Sequence, residues 1–198
     1  MSIIYYHMKE PAVDVLGPGR RFVLWVQGCH KNCPGCVAGG THRMEDGKPV
    51  QTDALAWEIA LSGAEGLTIS GGEPFLQAPA LAQLLQAVHR IRPMGVIVYT
   101  GYRYEELLAM PQAAGLLAQT DLLIDGEYIQ SLDDHRGLRG SSNQRVIPLS
   151  DVYREIARQY ADIPRRQQVF YHGAEIHEVG LPDEHGAYPE QEKRSVTK

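Results

Sequence analysis

The run Phe22-Val23-Leu24-Trp25-Val26-Gln27 is almost continuously apolar over the length of a strand, the pattern of a strand buried on both faces. Shorter runs recur downstream: Gly66 to Ser70, with Leu67 and Ile69 alternating, Gly95 to Tyr99, and Leu122 to Ile124 read as further strands. Between them the period changes. Leu55, Ala56, Ile59 and Ala60 share one helical face behind Thr52 as an N-cap, and Leu81, Leu84, Leu85 and Val88 repeat the spacing in a helix from Ala80 to Arg92 that Pro93 ends. A short helix is expected at Glu105 to Met110. Ahead of all these, Ile3 to His7 reads as a strand, after which Pro11 and Gly17-Pro18-Gly19 are expected to break regular structure.

Strand, polar or glycine-rich loop, then helix is the order that recurs, and it predicts an α/β fold with parallel βαβ units. In such sheets chemistry gathers at the C-terminal ends of the strands. Gly39-Gly40 to Pro49 is expected as a polar link, and Arg136 to Asn143, rich in Gly, Ser and Arg, as a loop folded over something. Arg145 to Pro148 reads as one more strand, Val152, Tyr153, Ile156, Ala157 and Tyr160 as a helical stripe, and Gln168 to Tyr171 with Glu175 to Val179 as a last strand pair. From Asp183 the chain is charged and poor in apolar residues, so residues 1–182 are expected as a single domain and 183–198 as a disordered tail.

Composition narrows the function classes. A length of 198 residues with 43% hydrophobic residues suits one globular domain. The formal charge of −5, with Lys and Arg scattered, argues against nucleic acid as partner. No apolar stretch is long enough for a membrane span, and the N-terminus lacks a signal-peptide pattern, which points to the cytoplasm.

All three cysteines fall in Cys29-His30-Lys31-Asn32-Cys33-Pro34-Gly35-Cys36, directly after the most apolar strand. An odd number of thiols crowded into one loop is a metal-site pattern rather than a disulfide framework. Structural iron–sulfur clusters usually take four cysteines. Three therefore point to a cluster with one iron open to a ligand, its negative charge offset by His30 and Lys31. The alternative is a structural zinc site completed by His30 or His42 in an interaction module. Gly71-Gly72-Glu73-Pro74 follows the next strand, where two glycines allow close approach to a ligand and Glu73 can accept from a cationic amine; the same residues also suit a plain strand-to-helix turn. Thr100 and Asp125 end later strands on the same side. The remaining histidines show no ligand spacing, and His172 with His177 reads as a strand and its turn.

Taken in order, Cys29-x3-Cys33-x2-Cys36 and Gly71-Gly72-Glu73-Pro74 resemble the radical S-adenosylmethionine superfamily. Within it, Gly17-Pro18-Gly19-Arg20-Arg21, Trp25-Val26-Gln27-Gly28-Cys29, Cys33-Pro34-Gly35-Cys36, Asp125-Gly126-Glu127-Tyr128 and Leu138 to Arg145 resemble blocks of the glycyl radical enzyme activases, the anaerobic ribonucleoside-triphosphate reductase activators most closely. The resemblance implies a partial (β/α)6-type open barrel and one [4Fe-4S] cluster on Cys29, Cys33 and Cys36. S-adenosylmethionine would chelate the free iron, with Gly35, Gly71, Gly72, Glu73, Thr100, Asp125 and Asn143 as cofactor-binding residues and the methionyl amine held at Gly72 and Glu73. It implies reductive cleavage to a 5′-deoxyadenosyl radical that takes a hydrogen atom from a glycine of a partner glycyl radical enzyme, fed by a small electron donor such as a flavodoxin. A radical enzyme acting on a peptide or small molecule is the alternative within the superfamily. Val37 and Ala38 depart from the aromatic residue and asparagine usual after the third cysteine in the reductase activators, and Glu127 departs from the Asp-x-Lys of pyruvate formate-lyase activases.

Overall fold

The apolar runs become the middle of one sheet. In a computed structural model that describes residues 2–160 and 163–182, strands β1 (Ile3–Val13), β2 (Arg21–Val26), β3 (Lys48–Gln51), β4 (Gly66–Gly71), β5 (Gly95–Tyr99), β6 (Leu122–Asp125) and β7 (Arg145–Pro148) pair in the order β3-β1-β2-β4-β5-β6-β7. β2, β4, β5 and β6 are mutually parallel. β1, β3 and β7 add antiparallel flanks. The sheet is thus mixed and mostly parallel at its centre, and it is open, with β3 and β7 at its edges.

Alternation along each strand divides the sheet into two faces of different character. Phe22, Leu24 and Val26 of β2, Leu67 and Ile69 of β4, Val96 and Val98 of β5 and Leu123 of β6 join the main core. Their partners there come from α1 (Thr52–Leu61), α2 (Ala78–Ile91), α3 (Tyr104–Leu108) and α4 (Ala114–Leu117). The intervening residues point the other way. That second face carries Val23, packed with Val13, Leu16 and Val179, and Ile97, Leu122 and Ile124, packed with Tyr153 and Ala157. It is covered by α5 (Arg154–Gln159) and by the antiparallel hairpin β8 (Gln167–His172) and β9 (Glu175–Gly180).

Several expectations change. β1 runs through Pro11 to Val13 because its pairing with β2 is irregular between Glu10 and Val13, where a residue without an N–H is tolerated. β3 lies in what reads as a polar link; it is an exposed edge strand whose pairing with Ile3 to Tyr6 supplies the order its own side chains do not. Thr52 is the first helical residue rather than the cap, which is Gln51 with no capping side chain. α4 is too short, at four residues, to carry a legible period. The segment expected as a tail, 183–198, lies outside the described residues.

Arg21 is the most consequential residue of the second face. It is fully buried with no carboxylate among its hydrogen-bond partners, yet its donors are all placed. Nε donates to Thr68 Oγ1 at 2.5 Å, one terminal nitrogen to the Pro18 carbonyl and Tyr153 Oη at 3.1 and 3.0 Å, and the other to the Leu67 and Gly95 carbonyls at 2.6 and 3.0 Å. One guanidinium therefore ties together β2, β4, β5, the Gly17-Pro18-Gly19 turn and the residue before α5. Replacing Arg21 by Ala strands these acceptors in the interior, each at about 1–3 kcal/mol. Denaturant unfolding of the cluster-free protein is expected to show a loss of at least about 3 kcal/mol with little change in slope.

Candidate functional site

Where β2 ends, Gln27 turns the chain outward. Its buried side-chain amide donates to the Gly40 and Arg43 carbonyls at 3.1 and 2.7 Å, and Oε1 lies 3.1 Å from His7 Nδ1. The backbone closes the same loop, with Gly28 N bonded to Thr41 O at 2.7 Å and Cys29 N to His42 O at 2.9 Å. Inside it Asn32 and Gly35 take left-handed conformations, with φ of 49° and 72°, and Cys36 N bonds Cys33 O at 3.1 Å. The three thiols are free and partly exposed. Burial raises the Cys29 and Cys33 thiols above their ordinary value. Gly35 lies against Gln130, whose side chain a Cβ there would meet at 2.7 Å.

The Gly71-Gly72-Glu73 turn is pressed onto this loop. A Cβ on Gly72 would sit 2.2 Å from the Gly28 carbonyl oxygen, and one on Gly71 would sit 2.5 Å from the Val26 carbonyl oxygen. Gly72 N bonds Val26 O at 2.8 Å, and Glu73 N bonds Gly28 O at 2.7 Å. These glycines admit the protein's own backbone. What they bring together is the entry to the cysteine loop and the carboxylate of Glu73.

Glu73 is buried, and burial raises its carboxyl above the usual range. Opposing that are donors on both oxygens: Phe75 N at 3.0 Å and Thr100 Oγ1 at 2.9 Å on one, Gly101 N at 2.8 Å on the other, with Lys31 as the nearby cation. Thr100 is therefore a positioning residue for Glu73, and its hydroxyl also accepts from Tyr102 N at 3.1 Å. Three of about four lone-pair directions are filled, so a direction on Glu73 remains for one further donor. The cysteine loop reaches the same place through Lys31, whose Nζ stands 4.4 Å from the Tyr102 ring centre, and His30, whose Nε2 is 3.1 Å from Tyr102 Oη. Neither contact was legible beforehand, since Tyr102 lies 72 residues from His30.

Two blocks read separately in the sequence form one latch beside the loop. Arg145 binds Asp125 with two nitrogens and also bonds Glu105, whose carboxyl is lowered to about 2 by that contact. Asp125 Oδ2 additionally accepts from Tyr104 N at 2.7 Å. Asp125 is thus engaged within the protein. Gln144 donates to Gly126 O at 2.6 Å and accepts from Gly140 N at 2.7 Å, while Asn143 Nδ2 donates to Glu127 O at 2.8 Å. This latch places Glu127 Oε1 3.7 Å from Cys33 Sγ, an acidic neighbour that the sequence did not point to.

Two cavities flank the loop. One, of 410 Å3, is lined by Lys31, Gly101, Asp125, Asn143 and Arg145 among others. The second, of 290 Å3, lies on the sheet's second face under β9 and is lined by Cys36, Trp25, Ser70, Tyr99 and Tyr128. Trp25 and Ser70 are register partners, and Tyr99 continues the row. Tyr99 Oη is buried without a hydrogen-bond partner, and burial raises its pKa. A ligand carrying acceptors suits that orphaned hydroxyl, and three soft thiols with no fourth suit a cluster of iron and sulfide.

Residues 15–147 match the family described as a 4Fe-4S single cluster domain. The chain belongs to that family. It is similar to anaerobic ribonucleoside-triphosphate reductase-activating proteins of Salmonella typhi, 37% identical over 151 residues, and Escherichia coli strain K12, 37% identical over 153 residues; each alignment covers 71% of this chain and 96% of the relative. It also resembles a pyruvate formate-lyase-activating enzyme of Staphylococcus epidermidis, 38% identical over 174 residues, covering 81% of this chain and 68% of that enzyme. A 4Fe-4S cofactor replaces the zinc reading of the same cysteines.

Two outcomes are expected for this 4Fe-4S protein. Gly72→Ala forces the cysteine loop off the Gly71–Glu73 turn, so iron and sulfide retained after anaerobic reconstitution should fall by at least about half, whereas Gly39→Ala, with open space around it, should retain the wild-type content. Glu127→Gln removes a negative charge beside Cys33, and potentiometric titration should find the cluster's reduction potential raised by on the order of tens of millivolts.

Proposed function

We propose that this protein is a radical S-adenosylmethionine activating enzyme whose substrate is a glycine of a partner glycyl radical enzyme, of the anaerobic ribonucleoside-triphosphate reductase kind. The observation that carries this reading is the docking of the three-cysteine loop at the end of β2 onto the Gly71-Gly72-Glu73 turn at the end of β4. When bound, the cluster and S-adenosylmethionine supply a reductively generated carbon radical able to take a hydrogen atom; the protein supplies position and exclusion of water.

Cys29, Cys33 and Cys36 would hold the cluster through their three thiolates, and S-adenosylmethionine would bind beside it. Gly72 and Glu73 hold the methionyl amine, using the acceptor direction that Thr100 and the Phe75 and Gly101 amides leave open. Asn143, Asp125 and Gly35 complete the cofactor site in this proposal, Asp125 by fixing Arg145 and the 410 Å3 cavity wall. The exposed tip of the loop, at Asn32, Pro34 and Gly35, supports electron entry from a small donor such as a flavodoxin. Helices α1–α4 on one face and the 290 Å3 cavity beside Cys36 on the other support reading the open sheet as a partial (β/α)6-type barrel within a single domain of residues 1–182.

No helix among the described residues is long and apolar enough to cross a membrane. Three free thiols support a reducing, cytoplasmic setting.

The test is anaerobic. Reconstituted protein with dithionite is expected to convert S-adenosylmethionine to methionine and 5′-deoxyadenosine. With the partner reductase added, a glycyl radical doublet should appear in its electron paramagnetic resonance spectrum. Cys33→Ser should abolish both. Cofactor cleavage without a glycyl radical would favour a peptide or small-molecule substrate, and no cleavage would overturn the proposal.

A further inference from the structure

The hairpin β8–β9 meets β1 through a group of side chains that the radical chemistry leaves unused. On one face of the hairpin, Phe170 and His172 alternate along β8 and Glu175, His177 and Val179 along β9, with His172 opposite Glu175 and Phe170 opposite His177. Val179 anchors this face in the core with Val13 and Val23. Its two histidines are thereby set over Glu10 of β1, a carboxylate only 3% exposed.

The donor geometry is compact. Glu10 Oε2 lies 2.8 Å from His172 Nε2 and 3.9 Å from His177 Nδ1, and one ligand atom from each of the three residues falls within 4.8 Å of the other two. The histidine rings are tilted, with centres 4.8 Å apart. His177 Nδ1 is buried and has no hydrogen-bond partner, so the second imidazole is aimed into the group without a protein donor or acceptor to satisfy it. On its outer side, His177 Nε2 stands 3.7 Å from Glu175 Oε2. At that distance the carboxylate is an ion-pair neighbour rather than a hydrogen-bond partner, and rotation of its exposed side chain would bring it to where it could orient a metal-binding ring.

We propose that Glu10, His172 and His177 form a second metal site, for a zinc-class divalent ion, independent of the iron–sulfur cluster. Two imidazoles and one carboxylate are the donors zinc takes with a fourth position left to water. His172, with its side chain 48% exposed, gives that position access to solvent. The small spread of donor atoms around Glu10 Oε2 lets bonds of about 2.0–2.2 Å form by modest side-chain rotation. All three residues lie outside the 15–147 segment that matches the cluster family. The ion would pin the hairpin to the sheet, and β9 with the residue after it, through Val179, Gly180 and Leu181, roofs the cavity that contains Cys36.

The experiment uses the untagged, cluster-loaded full chain, dialysed anaerobically against micromolar zinc and then zinc-free buffer, with iron and zinc measured by elemental analysis. About one zinc per chain is expected in addition to the cluster iron. His172→Ala, His177→Ala and Glu10→Gln should each weaken zinc binding at least about tenfold while keeping wild-type iron, which reports that the fold survives. Wild-type protein without zinc, or variants that keep it, would overturn the proposal and leave a histidine–carboxylate hydrogen bond in its place. Should a variant lose iron as well, cobalt titration of the full chain with all three cysteines changed to serine decides: visible d–d bands of low-coordinate cobalt support the site, and their absence overturns it.

Discussion

The backbone contact between Gly72 and Gly28 is the constraint on which the site depends. Two neighbouring strands end side by side, and the turn after one lies so close to the turn after the other that no side chain fits between them. The hydrogen bonds from Gly72 N to Val26 O and from Glu73 N to Gly28 O then extend the β2–β4 pairing past the formal strand ends. A cysteine loop and a carboxylate that are about forty residues apart thus become a single rigid edge. The cysteines, Glu73 and the side chains that engage them are arranged around that edge.

Electrostatics at the edge are balanced by donors that come from the next strands. Glu73 is kept in the interior by two amides and a hydroxyl, and Lys31, held over Tyr102, brings the nearest cation from the cysteine loop itself. On the far side, Arg145 sits between the carboxylates of Asp125 and Glu105, and this group steadies the loop bearing Glu127 and Tyr128. The same economy appears below the site, where Arg21 is buried against carbonyls and hydroxyls alone. In each case a polar group in the interior serves to join strands, because its partners must be brought from several elements to satisfy it.

Much of this was legible in advance, and the exceptions have a common cause. The strand runs from Phe22 and Leu67, the helix face of Leu81, Leu84, Leu85 and Val88, and the position of the cysteines behind a buried strand all emerge as expected, since hydrophobic period is a local property. β3 was not legible because its order comes from pairing with β1, and the hydrogen bonds of Thr100 to Glu73 and of Asp125 to Arg145 were not, because strand-end position does not reveal which partners a side chain takes. The neighbours that Glu127, Tyr102 and Trp25 would meet carried no signal in the sequence. The latch at 138–145 places Glu127 beside Cys33, the turn after β5 places Tyr102 against His30 and Lys31, and the register of β2 against β4 places Trp25 beside Ser70.

The sequence by itself determined the α/β class, the cysteine spacing that suits a cluster with one open iron, and the nearness of both motifs to strand ends, because each is written in a few consecutive residues. Tertiary structure alone decided that the two glycines serve chain-on-chain contact, that Thr100 positions Glu73, and that an acid faces Cys33. It also decided the meeting of Glu10 with His172, 162 residues away, and with His177. Ligand spacing in a sequence reports on donors held by one loop; donors gathered from opposite ends of a chain meet only when the sheet and its hairpin have packed.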